Sequence, residues 1–223
     1  MRDLVAIAAR EARLAWAGGG GAAGPAAFFL AALTLAPLAM GADPQLLSQA
    51  GPGIMAFLAL LSVLQSAERL HGEDLSDGTL DLYALAPSGL VAISLAKTLG
   101  HGFATLWPLP FIGIMGGIMF GVPIMAALLL GLGLLAALPG LVMIAGFAGA
   151  LGAGIKRAGF LIALIAAPLM VPILVFAAGT GRAALDNNPD QAFATVMVTA
   201  ALSLGSLALF PFAMAAALRA RIS

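Results

Sequence analysis

The chain has 223 residues, of which 62% are hydrophobic and only 9% charged, and it contains no cysteine. Soluble domains carry about 25% charged residues, so this composition excludes a soluble fold and predicts an all-α integral membrane protein. The lack of cysteine excludes disulfides, thiolate zinc sites and a thiol nucleophile. Acidic and basic residues are equal in number, ten of each, and this balance predicts no nucleic-acid partner.

The first predicted element is an amphipathic helix over residues 1–17. Basic residues and Asp3 share one arc of this helix, and apolar residues share the other, with Glu11 intruding among them. A short basic amphipathic helix with Trp16 near its end is typical of an interfacial helix on a membrane surface. The alternative is a simple positively charged flank. The glycine run at 18–21 breaks the helix.

Long uncharged stretches predict the membrane spans. A helix needs roughly 20 apolar residues to cross the hydrocarbon core. The uncharged run 98–155 is too long for one crossing, and "FGVP" at 120–123 offers a turn. Six spans are therefore predicted within a single transmembrane domain, 1–223, near 22–42, 51–68, 98–120, 123–152, 158–180 and 192–218.

Lysine and arginine predict the orientation. With six crossings and a cytoplasmic N-terminus, nine basic residues fall on the cytoplasmic side and only Arg182 on the other. This bias follows the positive-inside rule and predicts that both termini are cytoplasmic.

Small residues recur at intervals of four in the third and fourth predicted spans. Such spacing lets helix backbones approach closely in lipid, so we expect these two spans to pack tightly. The residues are Gly113, Gly117, Gly121, Ala145, Gly149 and Ala153.

Few residues in the predicted spans have side chains that could bind an ion or a ligand or act in catalysis. No carboxylate lies well inside a predicted span, which disfavours ion-coupled transport and implies that a partner supplies any energy. His101 has two interpretations, an interfacial histidine, which we favour, or a contact for substrate or ligand. No pairing of histidine with a nucleophile supports an enzyme, and the methionines are interpreted as apolar filler.

One polar segment, 68–89, contrasts with the rest and holds five of the ten acids. Inserting an aspartate at the centre of a membrane helix costs roughly 2.5–3.5 kcal/mol, so this segment lies in water or against another protein. Ser76 or Asp77 can cap a helix of about two turns that ends at Pro87, and Ser88 can cap the next helix.

A helix this short gains stability by docking, although a solvated loop is equally compatible with the composition. The expected docking anchors are Leu80, Tyr83 and Leu85. The expected charged rim is Glu68, Glu73, Asp74, Asp77 and Asp81, with Arg69, Gly78 and Pro87 completing the segment.

Three stretches, in order, resemble the CcmB family, the haem exporter protein B of cytochrome c maturation. They are "LAWAGGGGAAGPAAFFL" (14–30), "ERLHGEDLSDGTLDLYALAPSGLVAISLAKTLGHG" (68–102) and "IKRAGFLIALIAAPLMVPILVFAAG" (155–179). The segment "DGTLDLYALAPSG" is also similar to the coupling segment of ABC-2 type permeases. Glu68 stands where the family often has aspartate, "HG" (71–72) replaces a more hydrophobic or basic pair, and Gly102 replaces an aromatic. These departures weaken any role for His71 or for an aromatic at 102.

The resemblance implies a half of an ABC-2-like permease in the bacterial inner membrane, without catalytic residues of its own. It implies a cytoplasmic ATPase subunit similar to CcmA, membrane subunits similar to CcmC and CcmD, and a haem chaperone similar to CcmE. Haem is then cargo, no cofactor is bound firmly, and ATP acts through the partner subunit. Two ATPase sites imply a homodimer of this chain in the lipid membrane.

Whether haem itself crosses through this subunit, or ATPase motion frees loaded chaperone, is open at this stage. One alternative is an ABC-2 permease for a lipid, glycan or drug. The other is a membrane scaffold that transports nothing.

Overall fold

The computed structural model describes residues 2–17, 22–41, 43–67, 69–155 and 158–222, with backbone alone for Arg2, Arg69, Gly72, Glu73, Ser76 and Ile222. These ranges form ten helices and contain no strand, so the predicted all-α fold is confirmed. The helices are α1 (Arg2–Ala17), α2 (Gly24–Met40), α3 (Pro44–Ala67), α4 (Arg69–Ser76), α5 (Thr79–Leu85), α6 (Gly89–Leu106), α7 (Leu109–Met119), α8 (Ile124–Gly152), α9 (Ala158–Leu185) and α10 (Pro189–Ile222).

Five helical stretches in the described ranges are long and apolar enough to cross a membrane: α3, α6 with α7, α8, α9 and α10. The first predicted span, 22–42, corresponds to α2, which is apolar but has only 17 residues. This length is at the lower limit of roughly 17–25 residues for a crossing helix. The chain is thus a multi-span membrane protein, with α2 as the short member of its apolar helices.

For two spans, the predicted first residue lies after the first residue of the observed helix. The second was expected from residue 51 but begins at Pro44, because the Asp43 carboxylate accepts a hydrogen bond from the Gln45 N–H at 2.9 Å. The third span was expected from residue 98, whereas its helix begins at Gly89, directly after the expected cap residue Ser88, and continues through Lys97. It is also interrupted at Trp107 and Pro108, where α6 gives way to α7.

The long helix α8 is the centre of the molecule. It packs against α3, α6, α7, α9 and α10. From residue 136 to 152 none of its residues is exposed, which is typical of a helix that is apolar all round. In contrast, α9 and α10 expose large apolar side chains, including Phe160 (79% exposed) and Leu209 (71% exposed). Such surfaces suit contact with lipid chains.

The glycines of the third predicted span pack against the fourth. A Cβ added to Gly113 would lie 2.6 Å from Leu134 Cδ1, and one added to Gly117 would lie 3.0 Å from the Ala127 Cβ. The small residues therefore bring α7 and α8 close together, as small residues do in lipid-embedded helix pairs.

The remaining small residues differ from the expectation. Gly121 has φ +73 and no neighbour near its Cβ position, so it is a turn glycine rather than a packing residue. A Cβ on Gly149 would lie 2.7 Å from the Ala67 carbonyl oxygen, so this glycine brings α8 close to α3 and not to α7. Ala145 and Ala153 are buried.

Helix α1 lies along α6. The Ala8 backbone sits over Gly100, where any Cβ would clash with the Ala8 carbonyl oxygen. Elsewhere on α1, Val5 (67%) and Trp16 (58%) are exposed. The predicted amphipathic helix therefore uses its buried face to bind the membrane domain of its own chain, and it leaves a partly apolar face outside.

Candidate functional site

The candidate site is built around Lys97, a lysine inside an apolar helix. Lys97 lies eight residues after the start of α6, about 12 Å along the helix axis, and is only 4% exposed. A cation buried in a membrane helix is costly and is normally paired. The surroundings of Lys97 must therefore supply negative charge.

Two buried carboxylates supply it. Lys97 Nζ donates a hydrogen bond to Glu11 Oε1 at 2.7 Å, and it lies 2.6 Å from Asp74 Oδ2. At this separation the Lys97 ammonium and the Asp74 carboxylate are in direct ion-pair contact. Glu11 (5% exposed) belongs to α1 and Asp74 (4% exposed) to α4, so one lysine joins three helices.

Arg10 and Tyr83 connect a fourth helix, α5, to this group. Arg10 Nη1 lies 3.3 Å from Glu11 Oε1 and donates a hydrogen bond to the Tyr83 hydroxyl at 3.1 Å. The Arg10 side chain is 41% exposed, so its ion pair contributes less to the stability of the fold than the ion pairs of Lys97. We call Glu11, Asp74, Lys97, Arg10 and Tyr83 the Lys97 cluster.

Both histidines of the chain border the Lys97 cluster. His71 lies one helical turn before Asp74 on α4 and is 2% exposed, and its Nε2 has no hydrogen-bond partner in the described part of the chain. His101 lies one turn after Lys97 on α6 and is partly buried. His101 is thus partly enclosed by its own chain, and both sequence interpretations, an interfacial histidine or a contact for substrate or ligand, stay predictions.

Burial sets the protonation of the groups outside the spans. Desolvation raises the pKa of Glu11 above its usual value, and the charge and hydrogen bond of Lys97 oppose this only in part. Desolvation, followed by the charges of Lys97 and His101, lowers the pKa of His71 to about 3. His71 is therefore a neutral imidazole at physiological pH.

The described part of the polar segment, residues 69–89, contains the expected helix of about two turns before Pro87, which is α5, and a second short helix, α4, that was not predicted. A turn at Asp77 and Gly78 separates α4 from α5. Gly78 has φ +77, and Asp77 Oδ1 accepts a hydrogen bond from the Thr79 N–H at 2.9 Å. Hydrogen bonds from Thr79 lower the pKa of Asp77. Pro87 is exposed and follows the end of α5.

Two expected contact residues point inward. Leu80, expected as a docking anchor, is 2% exposed and belongs to the core of its own chain. Asp74, expected on a charged rim, is buried because it pairs with Lys97. Leu80 is stabilised by leaving water, and Asp74 is stabilised at its buried position by the Lys97 ammonium.

The outward face of α5 is carried by other residues. Leu82 is 69% exposed and Leu85 is 84% exposed, and Asp81 is exposed beside them. Tyr83 is partly buried because it meets Arg10. Glu68 lies outside the described residues, and for Arg69 and Glu73 only the backbone is described.

Sequence reasoning missed Lys97 and Glu11 as site residues. Each left a signal, because Lys97 interrupts an otherwise uncharged run and Glu11 lies among the apolar residues of an amphipathic helix. A charge on an apolar face indicates a buried partner. Within the described ranges, no group of three or more His, Asp or Glu side chains is placed to hold a metal ion.

Comparison with known proteins identifies relatives of the same length. The family model described as "CcmB protein" matches residues 2–221. A protein named "Heme exporter protein B" from Paracoccus denitrificans is 39% identical over 98% of this chain and 100% of its own length. Proteins of the same name are 36% identical in Pseudomonas aeruginosa (96% of this chain, 95% of theirs) and 37% identical in Escherichia coli (95% and 96%). The chain belongs to the CcmB family.

Proposed function

We propose that this chain is the permease subunit of an ATP-driven, ABC-type complex that serves cytochrome c maturation in the bacterial inner membrane. The observation that carries the proposal is the family relationship over residues 2–221, with relatives named heme exporter protein B. In this role the subunit supports export of haem, or release of a haem-loaded chaperone, to the periplasm. ATP hydrolysis takes place in a separate ATPase subunit, and haem is cargo.

The segment formed by α4 and α5 is the proposed contact with the ATPase. Its outer side presents Leu82 and Leu85, two large apolar side chains beside Asp81. Its inner side is tied to the membrane domain through Asp74 and Lys97. An apolar pair at the centre of a polar rim is the usual anatomy of a protein contact.

The Lys97 cluster is the proposed mechanical link. Asp74 binds α4 to α6, Glu11 binds α1 to the same lysine, and Arg10 binds α1 to Tyr83 on α5. A push on α5 by a partner is therefore carried to a membrane-spanning helix by short charged contacts rather than by a loose loop. Small shifts at such packed contacts are transmitted because the interior deforms little.

Orientation and assembly complete the proposal. The positive-inside distribution supports cytoplasmic termini, which puts α1, α4 and α5 on the ATPase side. We propose two permease halves for two ATPase sites, formed by two copies of this chain beside the CcmC-like and CcmD-like subunits. Native mass spectrometry of the purified complex tests this, and one copy of the chain per two ATPase subunits would contradict the homodimer.

Substitutions at the exposed leucines test the ATPase contact. Leu85→Asp places a charge in the proposed contact, and we expect loss of ATPase co-purification and of cytochrome c maturation in cells that lack their own copy of the gene. Leu85→Met keeps an apolar side chain and is the matched control, expected to behave as wild type. Normal assembly and maturation with Leu85→Asp would overturn the proposed contact.

A second measurement separates this function from its alternatives. An ATPase subunit unable to hydrolyse ATP should abolish cytochrome c maturation if the complex is ATP-driven, whereas a pure scaffold would still support it. Normal maturation in cells lacking this chain would instead favour a permease for a lipid, glycan or drug.

A further inference from the structure

Helix α9 carries two prolines on its outer side. Beyond the first turn of each helix, the described ranges contain six prolines, and of these only Pro168 and Pro172 are exposed. Because they are four residues apart, they lie on the same side of α9. Leu164 (61% exposed) and Val175 (59% exposed) lie on this side as well. We call Leu164, Pro168, Pro172 and Val175 the proline face of α9.

Each of these prolines removes a hydrogen-bond donor from the backbone. Proline has no N–H, so the carbonyl four residues earlier loses its regular partner in the helix. The carbonyls affected are those of Leu164 and Pro168. Both belong to the proline face, because residues four apart lie one above the other. Two consecutive turns of α9 therefore each have a carbonyl oxygen that lacks its helical donor.

The two carbonyls lie at membrane depth. Helix α9 runs from Ala158 to Leu185 and is long and apolar enough to cross a membrane. Leu164 and Pro168 lie about 9 and 15 Å along the axis from its start, and the hydrocarbon core is about 30 Å thick. No bulk water is present at such a depth. A freed carbonyl there is costly, and a neighbouring helix or a hydroxyl side chain normally satisfies it.

Helix α9 cannot supply a donor to this face. Between residues 158 and 179 its sequence contains no side chain with an N–H or O–H group. The helices that pack on α9 are α3, α8 and α10, and they cover its other side, where Ala166, Met170 and Ile173 are buried. Lipid acyl chains offer no donor. A partner that covers the proline face must therefore bring one.

A second copy of the same helix does not meet this requirement. Two α9 helices packed face to face across a two-fold axis would present the same carbonyls to each other, again without a donor between residues 158 and 179. The face instead fits a helix of different sequence that carries a hydroxyl, amide or indole group at this depth. Side chains of this kind form hydrogen bonds between helices in membranes.

We propose that the proline face of α9 binds a transmembrane helix of a different subunit, and that a Ser, Thr, Asn, Gln, Tyr or Trp side chain of that helix donates a hydrogen bond to the Leu164 or Pro168 carbonyl. Leu164 and Val175 supply the apolar contacts beside this bond. The donor must lie at one of two heights about 6 Å apart, so the hydrogen bond fixes the vertical position of the partner helix. The inference rests on the proposed function only because that function supplies a complex with another membrane subunit.

Photo-crosslinking of the purified complex tests the partner. With Leu164→p-benzoylphenylalanine and a tag on this chain, we expect a crosslink to a different membrane polypeptide. Mass spectrometry should place it in a transmembrane helix, within one turn of a side chain that can donate. A crosslink to a second copy of this chain, or no protein crosslink, would overturn the proposal. The same change at Leu209, exposed on α10, is the control, and the same crosslink from both positions would also contradict the site.

The double variant Pro168→Ala, Pro172→Ala tests the hydrogen bond. It returns two N–H groups to α9, so the freed carbonyls regain their helical donors and the partner loses its acceptors. The partner recovered with the chain in detergent should fall by about three- to tenfold, as expected for one lost interhelical hydrogen bond, and the thermal midpoint of the isolated chain should not fall. Unchanged recovery would contradict the proposal.

Two further variants make the result specific. Pro37→Ala is the same change inside α2 and should leave recovery of the partner unchanged, whereas an equal loss would show that the effect does not belong to the proline face. Leu85→Asp, which tests the ATPase contact, should leave the crosslink from Leu164 in place. Failure of the ATPase contact and failure of the proline face are therefore distinguishable.

Discussion

Lys97 Nζ lies 2.7 Å from Glu11 Oε1, although the two residues are 86 positions apart in the chain. Glu11 belongs to α1, which precedes all the apolar helices, and Lys97 belongs to α6, in the middle of the chain. The bond fixes α1 along α6 at the level where Gly100 admits the Ala8 backbone. Charge pairing and close packing therefore determine the same helix position.

Replacement of Lys97 by methionine should destabilise the chain strongly. Breaking a buried ion pair by removal of one partner costs about 3–5 kcal/mol, because the other charge is left buried. Lys97→Met leaves Asp74 without its lysine partner and Glu11 with only the part-exposed Arg10. We expect a large fall in the thermal midpoint in detergent, measured by fluorescence-detected size exclusion.

Two further variants serve as controls for the effect of Lys97→Met on stability. The triple variant Lys97→Met, Glu11→Gln, Asp74→Asn removes all three charges and should recover much of the loss. Arg182→Met breaks an exposed pair with Asp186 at 3.9 Å and should change stability by at most about 1 kcal/mol. An equal effect of Lys97→Met and Arg182→Met would show that burial does not strengthen the Lys97 contacts.

Addition of a methyl group at Gly149 should loosen the packing of α8 on α3. Its Cβ would lie 2.7 Å from the Ala67 carbonyl oxygen, and overpacking of this kind costs about 1–3 kcal/mol. Gly205→Ala is the matched control, because nothing lies within 4 Å of its Cβ position and an alanine there removes backbone freedom from the unfolded state. Thermal midpoints should fall for Gly149→Ala alone, and a fall of equal size in both would contradict the close approach.

His71 should make the chain less stable in acid. Its pKa is about 3 in the folded protein and about 6.5 in an unfolded chain, so between these values the unfolded state binds more protons. Stability is then complete above pH of about 6.5 and falls at up to about 1.4 kcal/mol per unit as pH decreases toward 3.

The His71 contribution is measured as a difference in slope. Thermal midpoints between about pH 7.5 and 5 should fall less steeply in His71→Gln than in wild type, because the variant has no imidazole to protonate. Asp81→Asn, which changes an exposed acid on α5, should follow wild type. Parallel curves for wild type and His71→Gln would contradict the buried neutral histidine.

Gly78 should be required for the turn between α4 and α5. Its φ of +77 costs an ordinary residue about 1–2 kcal/mol. Gly78→Ala should therefore raise hydrogen exchange in residues 77–88 without lowering the thermal midpoint of the spans. Ser88→Ala is the control, because Ser88 precedes α6 without a side-chain capping bond, and equal exchange in both variants would contradict a turn that needs glycine.

The apolar runs were sufficient to predict helices and most of their positions. Hydrophobic length is a local property, so α8 and α9 were predicted within a few residues at their beginnings. The start of α6 after Ser88 was expected, but the membrane span was placed from residue 98 because Lys97 was treated as its edge. That residue is acceptable inside the helix only because Glu11 and Asp74 meet it, and neither is near it in sequence.

Contacts between residues distant in sequence also explain the errors in the segment 68–89. Its polarity, its turn at Asp77 and Gly78 and its position between apolar helices follow from local composition. The inward position of Leu80 and Asp74 does not, because both sides of a two-turn helix carry apolar and acidic residues. Their direction depends on where α6 places Lys97.

The sequence by itself determined that the protein is helical, lies in a membrane and carries one isolated acidic segment, because hydrophobicity and charge act residue by residue. Only the tertiary structure decided which charges are buried together. Burial makes an ion pair strong and an unpaired carboxylate costly, and it arises when α1, α4 and α6 meet around Lys97. The positions of these helices along the chain do not indicate that they meet.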